Sequence, residues 1–273
     1  MSTNTIDRPK KVTTATVRKM KAEGQKIAML TAYDYTTAML VDEGGVDMIL
    51  VGDSATNVMA GNETTLPMTL DEMIYHTRCV VRGVNRAMVI ADMPFGSYQV
   101  NADQGVANAI RVMKESGAQG VKMEGGREIC DTIRRITAAG IPVCGHLGLT
   151  PQSVNQFGGY GVRAKEEAEA QRLIDDAKAL EEAGCFAMVI EKVPAAIAEK
   201  AAKAVSIPII GIGAGAGVDG QVLVVTDMLG MNTGFRPKFL RLYADLAPVI
   251  TSAIGQYCAD VREGTFPSPA EQY

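Results

Sequence analysis

Four carboxylates stand at the ends of short, largely apolar runs, where side chains are well placed to do chemistry. The runs at 48–51, 87–91, 120–123 and 187–190 lead to Asp53, Asp92, Glu124 and Glu191. A parallel strand covered by helices on both faces reads as an unbroken apolar run, and its first polar residue emerges at the carboxyl end. Ligands of α/β barrels bind at that end of the strands, so the four acids are expected to converge on one site.

Asp53, Asp92 and Glu124 follow neighbouring predicted strands. Each alone could be a loop acid or a helix N-cap. Together they would raise one another's pKa unless a cation lay among them, which favours a divalent metal. With oxygen ligands and no paired His or Cys nearby, we expect a hard ion, Mg²⁺, with Mn²⁺ as the alternative.

Three further residues could act beside this cluster. Lys122 lies two positions before Glu124, on the same strand face, and would hold an anionic substrate group or form a structural salt bridge. Glu191, distant in sequence from the other acids, is a candidate general base; its alternative is a salt bridge with Lys192. His146, just past the fifth predicted strand, would hydrogen-bond a substrate or cap its loop.

The elements that would position these side chains alternate regularly. Helical patterns separate eight predicted strands, at 27–34, 47–54, 87–92, 119–124, 141–149, 185–191, 207–213 and 221–225. This count predicts an α/β fold, a (β/α)₈ TIM barrel, with residues 1–273 in a single domain. We also expect a flexible arm at 1–12, an extra N-terminal helix at 14–23, a C-terminal helix within 237–262 and a binding loop at 55–67.

A glycine-rich segment, Gly211-Ile-Gly-Ala-Gly-Ala216, formally fits a dinucleotide fingerprint. A fingerprint should open a long helix, yet another strand is predicted to follow here. The glycines are better explained by a tight turn at the barrel mouth.

Composition restricts the partners. The net charge of −4, from 31 acids and 27 bases, comes without a basic run, which argues against nucleic acid and anionic membranes and favours small-molecule substrates. The five cysteines are scattered without a C-x-x-C pair, as in reduced proteins. The polar N-terminus lacks a signal-peptide core, and no window approaches about 18 apolar residues, so we expect a cytoplasmic protein with no membrane span.

Eight motifs in order carry a family resemblance. They are Leu30-Thr-Ala-Tyr-Asp34, Val51-Gly-Asp-Ser54, the stretch 66–76, Ala91-Asp-Met-Pro-Phe-Gly96, Val121-Lys-Met-Glu-Gly-Gly126, Gly145-His-Leu-Gly-Leu-Thr-Pro-Gln152, Glu191-Lys-Val-Pro194 and Gly211-Ile-Gly-Ala-Gly215. Over about residues 14 to 245 the chain resembles ketopantoate hydroxymethyltransferases. The resemblance implies a (β/α)₈ barrel that transfers a one-carbon unit from 5,10-methylenetetrahydrofolate to 3-methyl-2-oxobutanoate, giving ketopantoate for pantothenate synthesis. It also implies a large homo-oligomer such as a homodecamer.

Matched residue by residue, the resemblance assigns the Mg²⁺ site to Asp53, Asp92 and Glu124, with Glu124 acting partly through water. Contacts to the keto acid fall to Asp53, Ser54, Asp92 and Lys122, and the role of proton acceptor falls to Glu191. The chain departs from the family pattern at 161–165, at Thr226 and at Asn62. We expect these departures to affect the folate-facing rim and loop closure, not the reaction class.

Two alternatives come from other functional classes. A carbon–carbon lyase or phosphonate-type mutase of related architecture would share the metal and the enolate, but it would need a lid with a reactive cysteine, and all five cysteines read as buried or helical. A non-catalytic binding barrel would not need Glu191 in addition to a full metal set.

Overall fold

The computed structural model describes residues 10–234 and 236–273. The chain divides into two compact units, one ending at Val224 and the other spanning Val225–Tyr273. The first nine residues of the predicted arm lie outside the described residues. Val12, in the described part of that arm, is buried, and its N–H donates to the Arg86 carbonyl at 2.9 Å.

Eight parallel strands close into a barrel in chain order, which confirms the predicted (β/α)₈ fold. They are β1 Ile27–Thr31, β2 Met48–Val51, β3 Met88–Asp92, β4 Gly120–Glu124, β5 Val143–Gly148, β6 Ala187–Glu191, β7 Ile209–Ile212 and β8 Gly220–Leu223. Every residue of β2, β3 and β4 is buried, as expected for strands that have helices outside and packed side chains inside.

Nine helices accompany the strands in the described part of the first unit. They are α1 Thr14–Ala22, α2 Tyr35–Glu43, α3 Ala55–Val58, α4 Leu70–Gly83, α5 Ala102–Ser116, α6 Cys130–Ala138, α7 Val154–Phe157, α8 Glu167–Glu182 and α9 Ala195–Ala204. Thr69 and Glu72 form a capping box at the start of α4, which satisfies backbone N–H groups that the first turn of the helix leaves free. The strand predicted after the 211–216 glycines is β8, which rules out the long helix of a dinucleotide fingerprint.

The extra N-terminal helix lies at the amino ends of β7 and β8. Val17 of α1 is fully buried in the cluster that fills the barrel. Lys21 forms an ion pair with Asp219, the residue before β8, at 2.9 Å and donates to the carbonyl of Ile207, two residues before β7, at 2.9 Å. The helix therefore covers the end of the barrel opposite the predicted site.

The segment predicted as a long loop at 55–67 contains α3, directly after Ser54. Its first turn closes when the Val58 N–H donates to the Ser54 carbonyl at 3.1 Å. Four residues are too few to show a helical period, so the sequence pattern does not predict this helix.

The second unit corrects the predicted C-terminal helix. It contains α10, Val225–Met228, and α11, Leu246–Glu263, so the long helix begins at Leu246 and not near Pro237. The apolar spacing continues into the segment before Leu246, but its backbone is not helical. The Tyr243 N–H donates instead to the Met228 carbonyl at 2.9 Å. In the described part of the chain, no helix is long and apolar enough to cross a membrane.

A glycine at the end of β5 allows β5 and β6 to approach each other closely at the carboxyl end of the barrel. Gly148 has φ +86°, and a Cβ there would lie 2.3 Å from the Glu191 carbonyl oxygen. The next residue, Leu149, donates its N–H to that same oxygen at 2.9 Å. Only glycine satisfies both the backbone conformation and this contact.

We predict that Gly148→Ala is much more destabilising than Gly140→Ala. Gly140 has the same φ, +86°, but no atom within 4 Å of its would-be Cβ. Gly140→Ala should cost about 1–2 kcal/mol of unfolding free energy through backbone strain alone. Gly148→Ala should cost about 1–3 kcal/mol more because the new methyl group meets backbone. Urea unfolding followed by circular dichroism measures both, and equal losses would contradict the contact.

Candidate active site

The three carboxylates predicted to converge do so at the carboxyl end of the barrel. Asp53, Asp92 and Glu124 are all buried, with exposed fractions of 4%, 2% and 6%. The Asp53 N–H donates to Asp92 Oδ2 at 3.0 Å, which joins the ends of β2 and β3.

Lys122 lies among these acids. The strand register pairs Lys122 with Asp92, and its Nζ is 2.7 Å from Asp92 Oδ1 and 3.6 Å from Glu124 Oε1. Burial disfavours the ammonium, but the negative charges of Asp92, Glu124 and Asp53 outweigh it and raise the pKa of Lys122. Lys122 is therefore a permanent cation in this pocket, and its salt bridge to Asp92 is the structural alternative that the sequence left open.

The pocket holds more negative charge than its cations neutralise. Burial raises the pKa of Asp53 well above its ordinary value, and the charges of Asp92 and Glu124 add to the rise, against Lys122 and a hydrogen bond from Gln152. Burial likewise raises the pKa of Asp92 in spite of its ion pair with Lys122. These carboxylates would ionise fully only beside additional positive charge.

His146 connects Glu124 to Glu191. The register places His146 opposite Glu124, and the imidazole Nδ1 is 3.0 Å from Glu124 Oε1 while Nε2 is 3.4 Å from Glu191 Oε2. Burial and the Lys122 ammonium, whose Nζ is 3.1 Å from Nδ1, oppose protonation. The two glutamates outweigh them and raise the pKa of His146 to about 9. An imidazolium therefore bridges two carboxylates at neutral pH.

The same imidazolium holds Glu124 in its ionised form. Burial of the Glu124 carboxyl disfavours its charge, but His146 and Lys122 overcome this and leave its pKa below the ordinary value. Glu124 thus differs from Asp53 and Asp92, whose pKa values are raised.

Glu191 ends β6 and is the most open of the predicted acids. Its side chain is 16% exposed, compared with 3% for Glu124. The next residue, Lys192, has φ 45°, and its ammonium donates to the Tyr160 carbonyl. Lys192 thus contacts the segment after α7, which differs from the predicted alternative of a salt bridge to Glu191.

Ser54 lies at the edge of the cluster, where its Oγ is 2.8 Å from the Tyr33 hydroxyl. A Cβ on Gly52 would lie 2.7 Å from Ser54 Oγ, so a side chain there would displace this hydroxyl. The predicted site residues are therefore all brought to one end of the barrel.

Two buried polar residues escaped sequence reasoning. The Gln152 Nε2 donates to Asp53 Oδ2 at 2.9 Å, and the Tyr98 hydroxyl donates to Gln152 Oε1 at 2.7 Å. The available signal was the position of Gln152 at the end of the 145–152 motif; Tyr98 follows β3 in a turn-rich segment and has no comparable signal.

Within residues 10–234 and 236–273, no group of three or more His, Cys, Asp and Glu side chains is arranged to hold a metal ion. The donor set is nevertheless chemically suited to a hard cation, because Asp53, Asp92 and Glu124 offer carboxylate oxygens. In the described conformation the Lys122 ammonium neutralises part of their charge.

The sequence matches a family model described as ketopantoate hydroxymethyltransferase over residues 11–269. The chain belongs to this family. It is 64% identical over 267 residues to a 3-methyl-2-oxobutanoate hydroxymethyltransferase of Bacteroides fragilis, with 98% of each chain covered. A Parabacteroides distasonis protein of the same name is 59% identical over 273 residues, with both chains fully covered. The chain is therefore an enzyme of the transferase class.

Solved structures share the barrel at low identity. A phosphonopyruvate hydrolase complexed with oxalate and Mg²⁺ superposes with a TM-score of 0.61 at 14% identity, covering 94% of this chain and 92% of that one. A 2,3-dimethylmalate lyase gives 0.58, also at 14% identity, covering 95% and 90%. These values show a shared fold; the family assignment rests on the sequence matches.

Two of the departures from the family pattern, at Asn62 and within 161–165, form contacts with residues other than the three carboxylates. Asn62 donates its N–H to the Thr56 carbonyl at 2.8 Å, after α3. Within 161–165, the Arg163 guanidinium stacks 3.9 Å from the centre of the Phe157 ring, and the Arg163 N–H donates to the Lys192 carbonyl at 2.8 Å. Thr226 belongs to α10 of the second unit.

We predict that Lys122→Met destabilises the metal-free protein by about 3–5 kcal/mol, because the substitution leaves the buried Asp92 carboxylate without its paired cation. Lys203→Met is the control: the pair of Lys203 with Glu199 has side chains 75% and 46% exposed. Its loss should cost at most about 1 kcal/mol. Urea unfolding in EDTA measures both, and similar losses would show that Lys122 does not stabilise the cluster.

Proposed function

We propose that this enzyme transfers a hydroxymethyl unit from 5,10-methylenetetrahydrofolate to 3-methyl-2-oxobutanoate and so forms 2-dehydropantoate (ketopantoate), the precursor of pantothenate and coenzyme A. The observation that carries the proposal is one buried pocket, in which three carboxylates surround an ammonium group and are connected through His146 to a partly exposed glutamate. This is the set of groups that keto-acid enolisation requires.

The charges in the pocket support a divalent cation. When all are ionised, Asp53, Asp92, Glu124 and Glu191 face the cations of Lys122 and His146, and two negative charges remain unbalanced. We propose that Asp53, Asp92 and Glu124 hold Mg²⁺, or alternatively Mn²⁺. A bound Mg²⁺ would supply Lewis-acid polarisation of the substrate carbonyl and stabilise the negative charge that develops on its oxygen.

The proposed substrate carries a carboxylate, and the ammonium of Lys122 offers it a positive charge. Lys122 keeps its positive charge in the buried pocket, and Ser54 offers a hydroxyl at the edge of the same pocket. We propose that these two groups orient the keto acid together with Asp53 and Asp92. The ammonium of Lys122 would exchange part of its contact with Asp92 for the incoming negative charge.

Glu191 is the proposed base that removes the C3 proton. Its greater exposure leaves it open to a substrate, while His146 keeps a positive charge near its carboxylate. A carboxylate is a weak base for removing a proton from carbon, so the reaction depends on stabilising the negative charge of the product. The carbanion at C3 would then form a bond to the methylene carbon of the folate. Both carbon–nitrogen bonds of that methylene group break in the overall reaction, one water molecule supplies the oxygen of the new hydroxymethyl group, and tetrahydrofolate leaves.

The lyase and mutase alternative shares only the fold. Its solved representatives align at 14–17% identity, which carries no chemistry to this chain. The cysteines in the interior are also unsuited to catalysis, because burial raises the pKa of Cys144 to about 12.

We predict that the protein exchanges the C3 proton of 3-methyl-2-oxobutanoate with D₂O when Mg²⁺ is present. Glu191→Gln should slow the exchange by about 10²–10⁴-fold, because it removes the base. EDTA should abolish exchange, and added Mg²⁺ or Mn²⁺ should restore it. Proton NMR follows the C3 signal directly, without the folate step.

Glu182→Gln is the matched control, since Glu182 is an exposed glutamate at the end of α8. It should exchange at the unmodified rate. If the folded, metal-loaded protein shows no exchange, the assay is repeated with tetrahydrofolate to test for ordered binding. Failure of that trial too would reject the transferase mechanism. Formation of 2-dehydropantoate from the complete mixture tests the one-carbon donor.

A further inference from the structure

One buried residue, Gln152, contacts two of the three carboxylates, one through its side-chain amide and one through its backbone N–H. Its Nε2 donates to Asp53 Oδ2 at 2.9 Å, and its backbone N–H donates to Glu124 Oε2 at 2.9 Å. The residue is 6% exposed and lies in the 3₁₀ turn Pro151–Ser153, which follows β5. A single residue thus contacts carboxylates that belong to β4 and to the end of β2.

The orientation of this amide is determined by its neighbours. Gln152 Oε1 accepts from the Tyr98 hydroxyl at 2.7 Å and from Gln99 Nε2 at 3.1 Å, while Nε2 also donates to the Met93 carbonyl at 3.0 Å. A reversed amide would place its NH₂ group against two donors and its oxygen against two acceptors. The NH₂ group is therefore held toward Asp53.

Tyr98 connects this amide back to the strand that carries Glu124. Its hydroxyl accepts from the Glu124 N–H at 3.1 Å while it donates to Gln152. The phenol is buried, and Gln152 Oε1 at 2.7 Å is a closer acceptor for its single hydroxyl proton than the Glu124 carbonyl at 3.1 Å. Tyr98 therefore donates to Gln152.

We propose that Gln152 is a positioning residue, held by Tyr98, that orients the Asp53 and Glu124 carboxylates to bind a divalent cation. This inference rests on the metal site of the proposed function. Each donated hydrogen bond fixes one oxygen of a carboxylate and favours its ionised form in spite of burial. Hydrogen-bond partners of this kind set the affinity of ligating carboxylates for metals, and their loss costs about 10–100-fold.

The test is titration of the metal-free, full-length protein with Mn²⁺ alone, with and without 3-methyl-2-oxobutanoate, followed by electron paramagnetic resonance of the free ion. Gln152→Met keeps the volume and the backbone N–H but removes the amide, so it should weaken Mn²⁺ binding by about 10–100-fold. Tyr98→Phe should weaken it less, because Gln99 still donates to the amide oxygen.

Thr77→Val is the matched control for stability. It removes a fully buried hydroxyl of α4 that donates to the Met73 carbonyl at 2.7 Å, away from the cluster. It should lower the thermal stability and leave Mn²⁺ affinity unchanged. In the exchange assay, excess Mg²⁺ should restore the rate of Gln152→Met, because the base and the substrate contacts remain; a merely structural role would not respond to the metal concentration.

The outcomes separate this inference from the proposed function. Unchanged Mn²⁺ affinity in both Gln152→Met and Tyr98→Phe, beside metal-dependent exchange by the unmodified protein, would overturn the positioning role alone. An unmodified protein that neither binds Mn²⁺ nor exchanges the C3 proton would overturn the proposed function, and the inference with it. If Gln152→Met does not fold, the Tyr98→Phe titration decides.

Discussion

The active end of this barrel depends on balancing buried charge. Carboxylates from three strands share a pocket that excludes water, and the repulsion between them is offset by one ammonium and one imidazolium. Removing either cation leaves charge that the protein interior cannot solvate. Under the proposed function, a divalent cation would neutralise the two negative charges that Lys122 and His146 leave unbalanced.

The surrounding structure serves this pocket through short, specific contacts at strand ends. Gly148 allows a close approach to the Glu191 carbonyl that a side chain would block, and Lys192 adopts a left-handed conformation directly after Glu191. The turn after β5 sends Gln152 back between Asp53 and Glu124. The site is therefore assembled by loops whose backbone is fixed on a rigid barrel, the arrangement that preorganised catalysis requires.

The barrel alone does not identify the chemistry. Hydrolases, mutases and lyases with the same architecture align with more than nine-tenths of this chain, although their sequences are about 85% different. The family is decided instead by matches at about 60% identity over the full chain. Within the shared fold, the residues at the strand ends separate one reaction from another.

The sequence by itself determined the eight-stranded fold and the residues of the cluster. Buried parallel strands are continuous apolar runs, and each run ends in a polar residue that must face the barrel mouth, so Asp53, Asp92, Glu124 and Glu191 could be found without coordinates. Sequence patterns did not predict elements correctly where a helix is very short or where the backbone is hydrogen-bonded to a distant segment. The four residues of α3 show no period, and the apolar spacing before α11 continued past the true helix start.

Only the tertiary structure decided how the cluster is connected. The contacts of Lys122 with Asp92 and of His146 with Glu124 follow from the register between strands, which is set by closure of the whole barrel and not by neighbours in sequence. Gln152 and Asp53 are 99 residues apart, and no local pattern encodes their hydrogen bond. Side-chain identity is a property of the sequence, whereas charge balance and orientation arise from distances that exist only once the chain has folded.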